Sequence, residues 1–113
     1  MTQNRLIYIT TDDPAEADRL ARHAVQSRLA ACANIIPGMR SVYWWEGEVQ
    51  SGEELIVLMK TRADLVEALT REMTGLHSYE CPCVVALPLV DGHEPFLSWI
   101  GEETRPKAEG SRE

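Results

Sequence analysis

No apolar run in the sequence approaches the roughly 18 residues that cross a bilayer as a helix, which argues against a membrane protein. A basic cluster is missing as well. The arginines, from Arg5 to Arg71, are scattered, and 18 acidic against 11 basic side chains leave a net charge of −7. Such a balance repels a phosphate backbone, so nucleic acid is not expected as a partner and metal cations or small ligands remain. Cysteine is scarce and odd in number. Cys32, Cys81 and Cys83 cannot form a paired disulfide framework, and reduced thiols are expected. The first residues run straight into a strand-like pattern without the basic start, apolar stretch and cleavage site of a secretory signal, and the expected compartment is the cytoplasm.

The chain also lacks catalytic signatures. It has no glycine-rich phosphate loop, no Gly-x-Ser-x-Gly elbow and no His-Glu-x-x-His pair. Cysteine catalysis by Cys32 or Cys83 with His77 would need a third, orienting group that the sequence does not supply. An enzyme is not expected. What is present is the composition of a globular protein: 113 residues, 44% hydrophobic and 26% charged, enough for one core and too few for two.

Arg5 to Thr11 (RLIYITT) is rich in β-branched and aromatic residues and reads as a strand. Asp13-Pro14-Ala15-Glu16 then offers a capping Asp, a proline at the first helical position and a Glu placed to complete a capping box. The apolar stripe Ala17, Leu20, Ala21, Ala24, Val25 and Leu29, at spacings of three and four, extends this helix. A long hairpin follows. Its outgoing strand runs from about Ala33 to Trp45, with a bulge or bend expected at Pro37-Gly38, and its return strand runs from Glu54 to Thr61. Glu46-Gly47-Glu48 and Gln50-Ser51-Gly52 are the candidate tips. In the return strand Val57 and Met59 point one way and Leu58 the other, the pattern of a strand covered on both faces.

Thr61 to Asp64 offers a second cap, and Leu65, Leu69, Met73 and Leu76 a second helical stripe ending near Gly75. A last strand spans Cys83 to Leu89, and a short helix spans Glu94 to Ile100. The order strand, helix, strand, strand, helix, strand predicts a ferredoxin-like α+β fold: a βαββαβ chain with an antiparallel four-stranded sheet, a long β2-β3 hairpin and a short C-terminal helix. Residues 1–104 form one domain in this reading, and 105–113 a polar tail with too little apolar surface to order itself. With helices on one face only, the other face and the hairpin aromatics would leave an apolar patch that self-association removes.

Several side chains carry chemistry, each with an ordinary alternative. Cys81 and Cys83 flank Pro82, so an extended segment sends both thiols from one face with Cα atoms roughly 6 to 7 Å apart. That suits a soft ion such as copper(I) or zinc; the alternative is two small buried residues opening a core strand. Cys32, among alanines, reads as a buried residue or a lone metal ligand. His77, Tyr79 and Glu80 bring an imidazole, a phenol and a carboxylate into four residues, for a metal or an anion, or His77 simply caps helix carbonyls. Lys60 ends an apolar strand and must reach water or a partner; pairing with Glu54 or Glu80 is the structural reading, orienting an anionic ligand the functional one. Tyr43, Trp44 and Trp45 resemble a stacking cluster, but aromatics on a hairpin are first candidates for interface anchors.

The stretches LAACANIIPGMRSVYWWEGEV, EELIVLMKT, HSYECP and FLSWI together resemble the CutA family over almost the whole chain. Cys32, Asn34, Pro37, Ser41, Tyr43, Trp45 and Gly47 fall at the family's spacing, as do Glu54, Lys60, Thr61, His77, Tyr79, Glu80, Pro82 and Trp99. The resemblance implies a homotrimer in which the hairpin reaches a neighbouring subunit and polar side chains gather in the clefts between subunits. It implies divalent-metal tolerance, with copper or another divalent metal as a ligand and none essential, and it associates the position of Cys32 with copper. It implies a likeness to the PII signalling proteins too, and hence a second expectation: a small-effector-binding or scaffold trimer using Glu54, Lys60, Tyr79 and Glu80. The chain departs from the family at Cys83, where a Glu usually follows the proline, and at Cys81, where an aliphatic residue or Thr is common.

Overall fold

A computed structural model describes residues 3–105. The elements are β1 (Asn4–Thr11), α1 (Pro14–Gln26), β2 (Cys32–Trp45), β3 (Glu48–Arg62), α2 (Val66–Leu76), β4 (Val84–Pro88) and α3 (Glu94–Glu102). The four strands form one sheet in the order β2-β3-β1-β4, with every neighbouring pair antiparallel. This is the expected ferredoxin-like arrangement. No helix among the described residues is long and apolar enough to cross a membrane.

The two-residue period of the strands sorts the sheet into two faces. Ile7 and Ile9 of β1 and Val57 and Met59 of β3 are fully buried against Leu20 and Ala24 of α1 and Leu69 and Met73 of α2. Burying a side chain of that size contributes about 1.5 to 3 kcal/mol, and these contacts fix the helices on one side. Their strand neighbours Leu6, Tyr8, Ile56 and Leu58 turn to the other side and are only half-buried. Ile36, Val85 and Leu87, on the flanking strands, are exposed at 43%, 50% and 44%. The outward face is thus apolar and uncovered by any helix among the described residues.

Asp13 caps α1 by accepting from the Ala15 amide, as its sequence position predicts. Glu16 does not close a capping box. It lies one residue before Ala17 and four before Leu20, on the buried stripe, and its carboxylate turns into the interior. The second expected cap is also replaced. Ala63–Leu65 form a single 3-10 turn without a side-chain cap, Thr61 instead donates its hydroxyl to the Leu29 carbonyl at 2.6 Å, and Asp64 pairs with Arg62. Leu76, at the end of α2, is exposed rather than part of the buried stripe.

The hairpin turns at Glu46-Gly47, the first of the two candidate tips, with φ of 53° and 82°. Two consecutive positive φ values are what a type I′ turn demands, and the return strand therefore begins at Glu48, well before Glu54. The bulge at Pro37-Gly38 is present: the β2-β3 register shifts between Ile36 and Met39, and Gly38 has φ 81°. Arg105, the first residue of the expected tail, is held by its amide to the Arg28 carbonyl and by its carbonyl to Arg62. Residues 106–113 of that tail lie outside the described residues.

Candidate functional site

Past the bulge, the outward side of the hairpin carries Met39, Ser41 and Tyr43 in line with Glu54 of β3, because the shifted register opposes Met39 to Glu54. The segment from His77 to Cys83 passes in front of them. Between these parts lies an open cleft of about 930 Å³. Its aromatic walls are Tyr8, Tyr43, Trp44, Trp45 and Tyr79; its acids are Asp12, Glu54 and Glu80, against one base, Arg40. Cys81 and Cys83 complete the rim.

Glu54 is the centre of the hydrogen bonding. The Ser41 hydroxyl donates to its Oε1 at 2.6 Å and the Tyr79 hydroxyl to its Oε2 at 2.7 Å. Burial pushes the Tyr79 phenol well up, and Glu54, Asp12 and Tyr43 add to the effect. Cys83 is exposed as a residue, yet its thiol meets the cleft wall: burial there and then the Glu54 carboxylate push it up too. Burial first, and the Glu54 carboxylate second, favour the protonated phenol and thiol.

Behind the cleft, Glu16 anchors the loop. Only 1% exposed, it accepts from the Thr11 hydroxyl (2.6 Å), the Ser78 hydroxyl (2.9 Å) and the Ser78 amide (2.7 Å). Burial by itself raises this carboxyl, but the bonds from Thr11 and Ser78, with His77 nearby, outweigh it and hold the group below its ordinary value. Next to it His77 is buried. Its Nε2 donates to the Thr10 carbonyl at 2.8 Å and its Nδ1 accepts from the Tyr79 amide at 3.1 Å, which sets the tautomer. The His77 and Tyr79 rings lie 4.6 Å apart, tilted.

These positions revise the expected sites. His77 has both nitrogens engaged and presents no lone pair to a metal; it caps no carbonyl of its own helix through its side chain either. Cys32 is neither buried nor near the other thiols: it starts β2 opposite Lys60 and is partly exposed. Cys81 and Cys83 are exposed and precede β4, so the core reading of both is overturned. Lys60 pairs with neither Glu54 nor Glu80. It donates to Asn34 Oδ1 at 2.7 Å, and six residues along one strand place it roughly 20 Å from Glu54. Glu54, Tyr79 and Glu80 do share the cleft, while Tyr43, Trp44 and Trp45 are exposed at 47%, 73% and 40% in the single chain. Among the described residues no three His, Cys, Asp or Glu side chains converge as a metal centre requires. The combined set of Cys32, His77, Cys81 and Cys83 therefore does not fit one metal ion.

Sequence reasoning missed Asp12, Tyr8 and Arg40 as cleft residues and Glu16 as the anchor. Glu16 had a legible signal, its place on the apolar stripe of α1. The others had none, because the bulge and the loop bring them together across strands.

The family described as CutA1 divalent ion tolerance protein matches residues 5–103. A chloroplastic CutA 1 of Oryza sativa subsp. japonica is 42% identical over 100 residues, 88% of this chain and 56% of that protein, so the chain spans just over half the length of this plant relative. A divalent-cation tolerance protein CutA of Archaeoglobus fulgidus is 38% identical over 99 residues, 88% of this chain and 96% of the relative. The crystal structure of CutA from Xylella fastidiosa superposes with a TM-score of 0.89 at 35% identity, covering 92% of this chain and 100% of the other. A match over nearly all described residues, carried through the sheet, the hairpin and the cleft loop, makes this chain a member of the CutA1 divalent ion tolerance family.

Proposed function

We propose that the protein acts as a homotrimer in tolerance of divalent cations, by binding rather than by catalysis, and that a copper-type soft metal is taken by Cys81 and Cys83 at the rim of the cleft. The observation that carries the metal reading is the exposure of these two thiols in one short segment beside Glu54 and Glu80. Thiolates suit copper(I) and zinc, and the carboxylates draw cations toward them. A nucleophilic role is disfavoured: Cys83 is shifted up, opposite to an activated thiol, and His77 has no nitrogen free to serve it. The trimer is supported by the uncovered outward face and the exposed hairpin aromatics.

Competition against a copper(I) chelator tests the metal reading. Cys81→Ser and Cys83→Ser should each lower copper affinity by about tenfold or more, since a hydroxyl is a poor soft ligand, whereas Cys32→Ser should not. Equal affinity in the wild type and both variants would remove the pair as ligands. A PII-like, effector-binding trimer is the second reading, favoured by the volume of the cleft. Lys60 stands outside it, so any effector bound there meets the acids and not that lysine.

A further inference from the structure

We infer that Glu16 is an acid-sensitive latch on the segment that carries Cys81 and Cys83: as a carboxylate it holds Ser78 and the residues after it in place, and once protonated it lets them open while the sheet stays folded. The latch lies inside one chain, on the helix-covered face of the sheet. Thr11 continues the inward row of Ile7 and Ile9 on β1, and Glu16 of α1 meets it there and reaches Ser78, 62 residues further along the chain. Three donors converge on the carboxylate. The Thr11 and Ser78 hydroxyls bond Oε1 at 2.6 and 2.9 Å, and the Ser78 amide bonds Oε2 at 2.7 Å. The inference goes beyond the metal reading and bears on it only through the thiols that the segment carries.

The bonding is asymmetric. Hydroxyls can turn and accept, but a backbone amide only donates. A proton on Oε2 therefore faces the Ser78 amide donor to donor, and a proton on either oxygen replaces charge-assisted bonds by neutral ones of about half the strength. The segment is the weaker side. Residues 77–83 belong to neither α2 nor β4, and the amides of Ser78 and Tyr79 are bonded to side chains, those of Glu16 and His77. Glu16 stands on a capped helix whose Ala17, Leu20 and Ala24 are buried in the core, so losing these bonds loosens the segment and leaves the helix where it is. Among the described residues, the charged or titratable groups set against Glu16 are Arg19 of α1, 3.7 Å from Oε2, and His77 of the segment, whose Nδ1 is 3.7 Å from Oε1. β1 contributes the uncharged Thr11 hydroxyl. In the turn after it, the Asp13 carboxylate accepts from the Ala15 amide and Asp12 lines the cleft. Burial alone would raise the Glu16 carboxyl, but the bonds from Thr11 and Ser78 hold it below its ordinary value; the closed segment thus favours the ionised form, and acid favours the open one.

Amide hydrogen exchange of the full-length protein tests the latch, with protection factors corrected for the intrinsic pH dependence of exchange and followed from about pH 7 to about pH 4, into the ordinary carboxylate range. In the wild type, the segment after His77 should lose protection by about tenfold as the pH falls, while β1 and β3 keep theirs. Glu16→Gln should show that loss already at neutral pH and no further step in acid. Glu54→Gln, which alters the acceptor of the Tyr79 hydroxyl on the cleft side of the segment, should keep the acid step. Ser78→Ala removes one donor and should move the step to higher pH, which gives a second variant should Glu16→Gln fold poorly. Wild-type protection in Glu16→Gln at neutral pH, an acid step that survives in that variant, or a loss of protection spread over β1 and β3 would overturn the inference. An unmoved step in Ser78→Ala would overturn it as well. Copper(I) competition keeps the two readings apart: if Cys81→Ser and Cys83→Ser leave copper affinity unchanged, the metal reading falls and the exchange result stands.

Discussion

Glu16 is a charged group in the interior of a small protein, and three hydrogen-bond donors keep it there. An ionised carboxylate without such partners would be too costly to bury, so Thr11 and Ser78 are part of the same structural unit. Replacing it as Glu16→Gln keeps the volume but turns an amide toward donors; a loss of about 1 to 3 kcal/mol in a denaturant melt is expected at neutral pH. The pH dependence follows from the direction of its shift. Because the folded state holds the carboxyl below its ordinary value, the unfolded chain takes up the proton first as pH falls. The stabilisation is complete at neutral pH and disappears as pH drops through the ordinary carboxylate value and then the lower folded one. The gap in stability between the wild type and Glu16→Gln should therefore narrow in melts run at successively lower pH; a gap that widens in acid would contradict the assignment. His77 offers the complementary lesson. Its residue type and its neighbours Tyr79 and Glu80 pointed to a ligand, and only its two hydrogen bonds make it a fastener.

At the scale of elements, the β2-β3 hairpin decides where the site lies. Two glycines on it separate conformation from space, since an added Cβ meets nothing within 4 Å at either Gly47 or Gly52. Gly47 has φ 82°, a left-handed value, whereas no left-handed φ attaches to Gly52 within β3. Gly47→Ala should lower stability by about 1 to 2 kcal/mol, the cost of forcing a side chain into that region. Gly52→Ala should be neutral or stabilise by up to about 1 kcal/mol, through the entropy it removes from the unfolded chain. Thermal melts at one fixed protein concentration compare them directly. The Pro37-Gly38 bulge was readable because proline lacks the amide hydrogen and glycine tolerates the positive φ. Its consequence was not: the register shift sets Met39 opposite Glu54 and brings Ser41 into reach, and register is a property of two strands.

For the whole molecule, the outward sheet face and the hairpin aromatics are the apolar surface that the described residues leave exposed. The proposed trimer predicts that light scattering in dilute buffer reports about three chains per particle, in keeping with closed symmetric assembly. A well-folded monomer at micromolar concentration would remove it. Trp45→Ala should weaken the assembly and lower the melting temperature, since truncating an aromatic interface anchor costs about 2 kcal/mol or more. An unchanged melting temperature would place this indole in solvent and leave it to the cleft.

The sequence alone determined the order of elements, the split βαβ topology and the hairpin with its bulge, because each rests on local signals: two-residue and 3.6-residue periods, a capping Asp and glycines at turns; the family was legible separately, as a resemblance of whole stretches such as HSYECP. It also grouped Glu54, Tyr79 and Glu80, which the structure brings to one candidate cleft. Only the tertiary structure decided that Lys60 stands apart from them, that His77 is engaged on both nitrogens, and that Cys81 and Cys83 face outward. It alone joined Asp12 and Tyr8 to the same cleft. Those outcomes depend on which strands pair, in what register, and on how a buried carboxylate pins a loop across them. Contacts of that kind join residues as far apart as Glu16 and Ser78, and no local pattern of residue types encodes them.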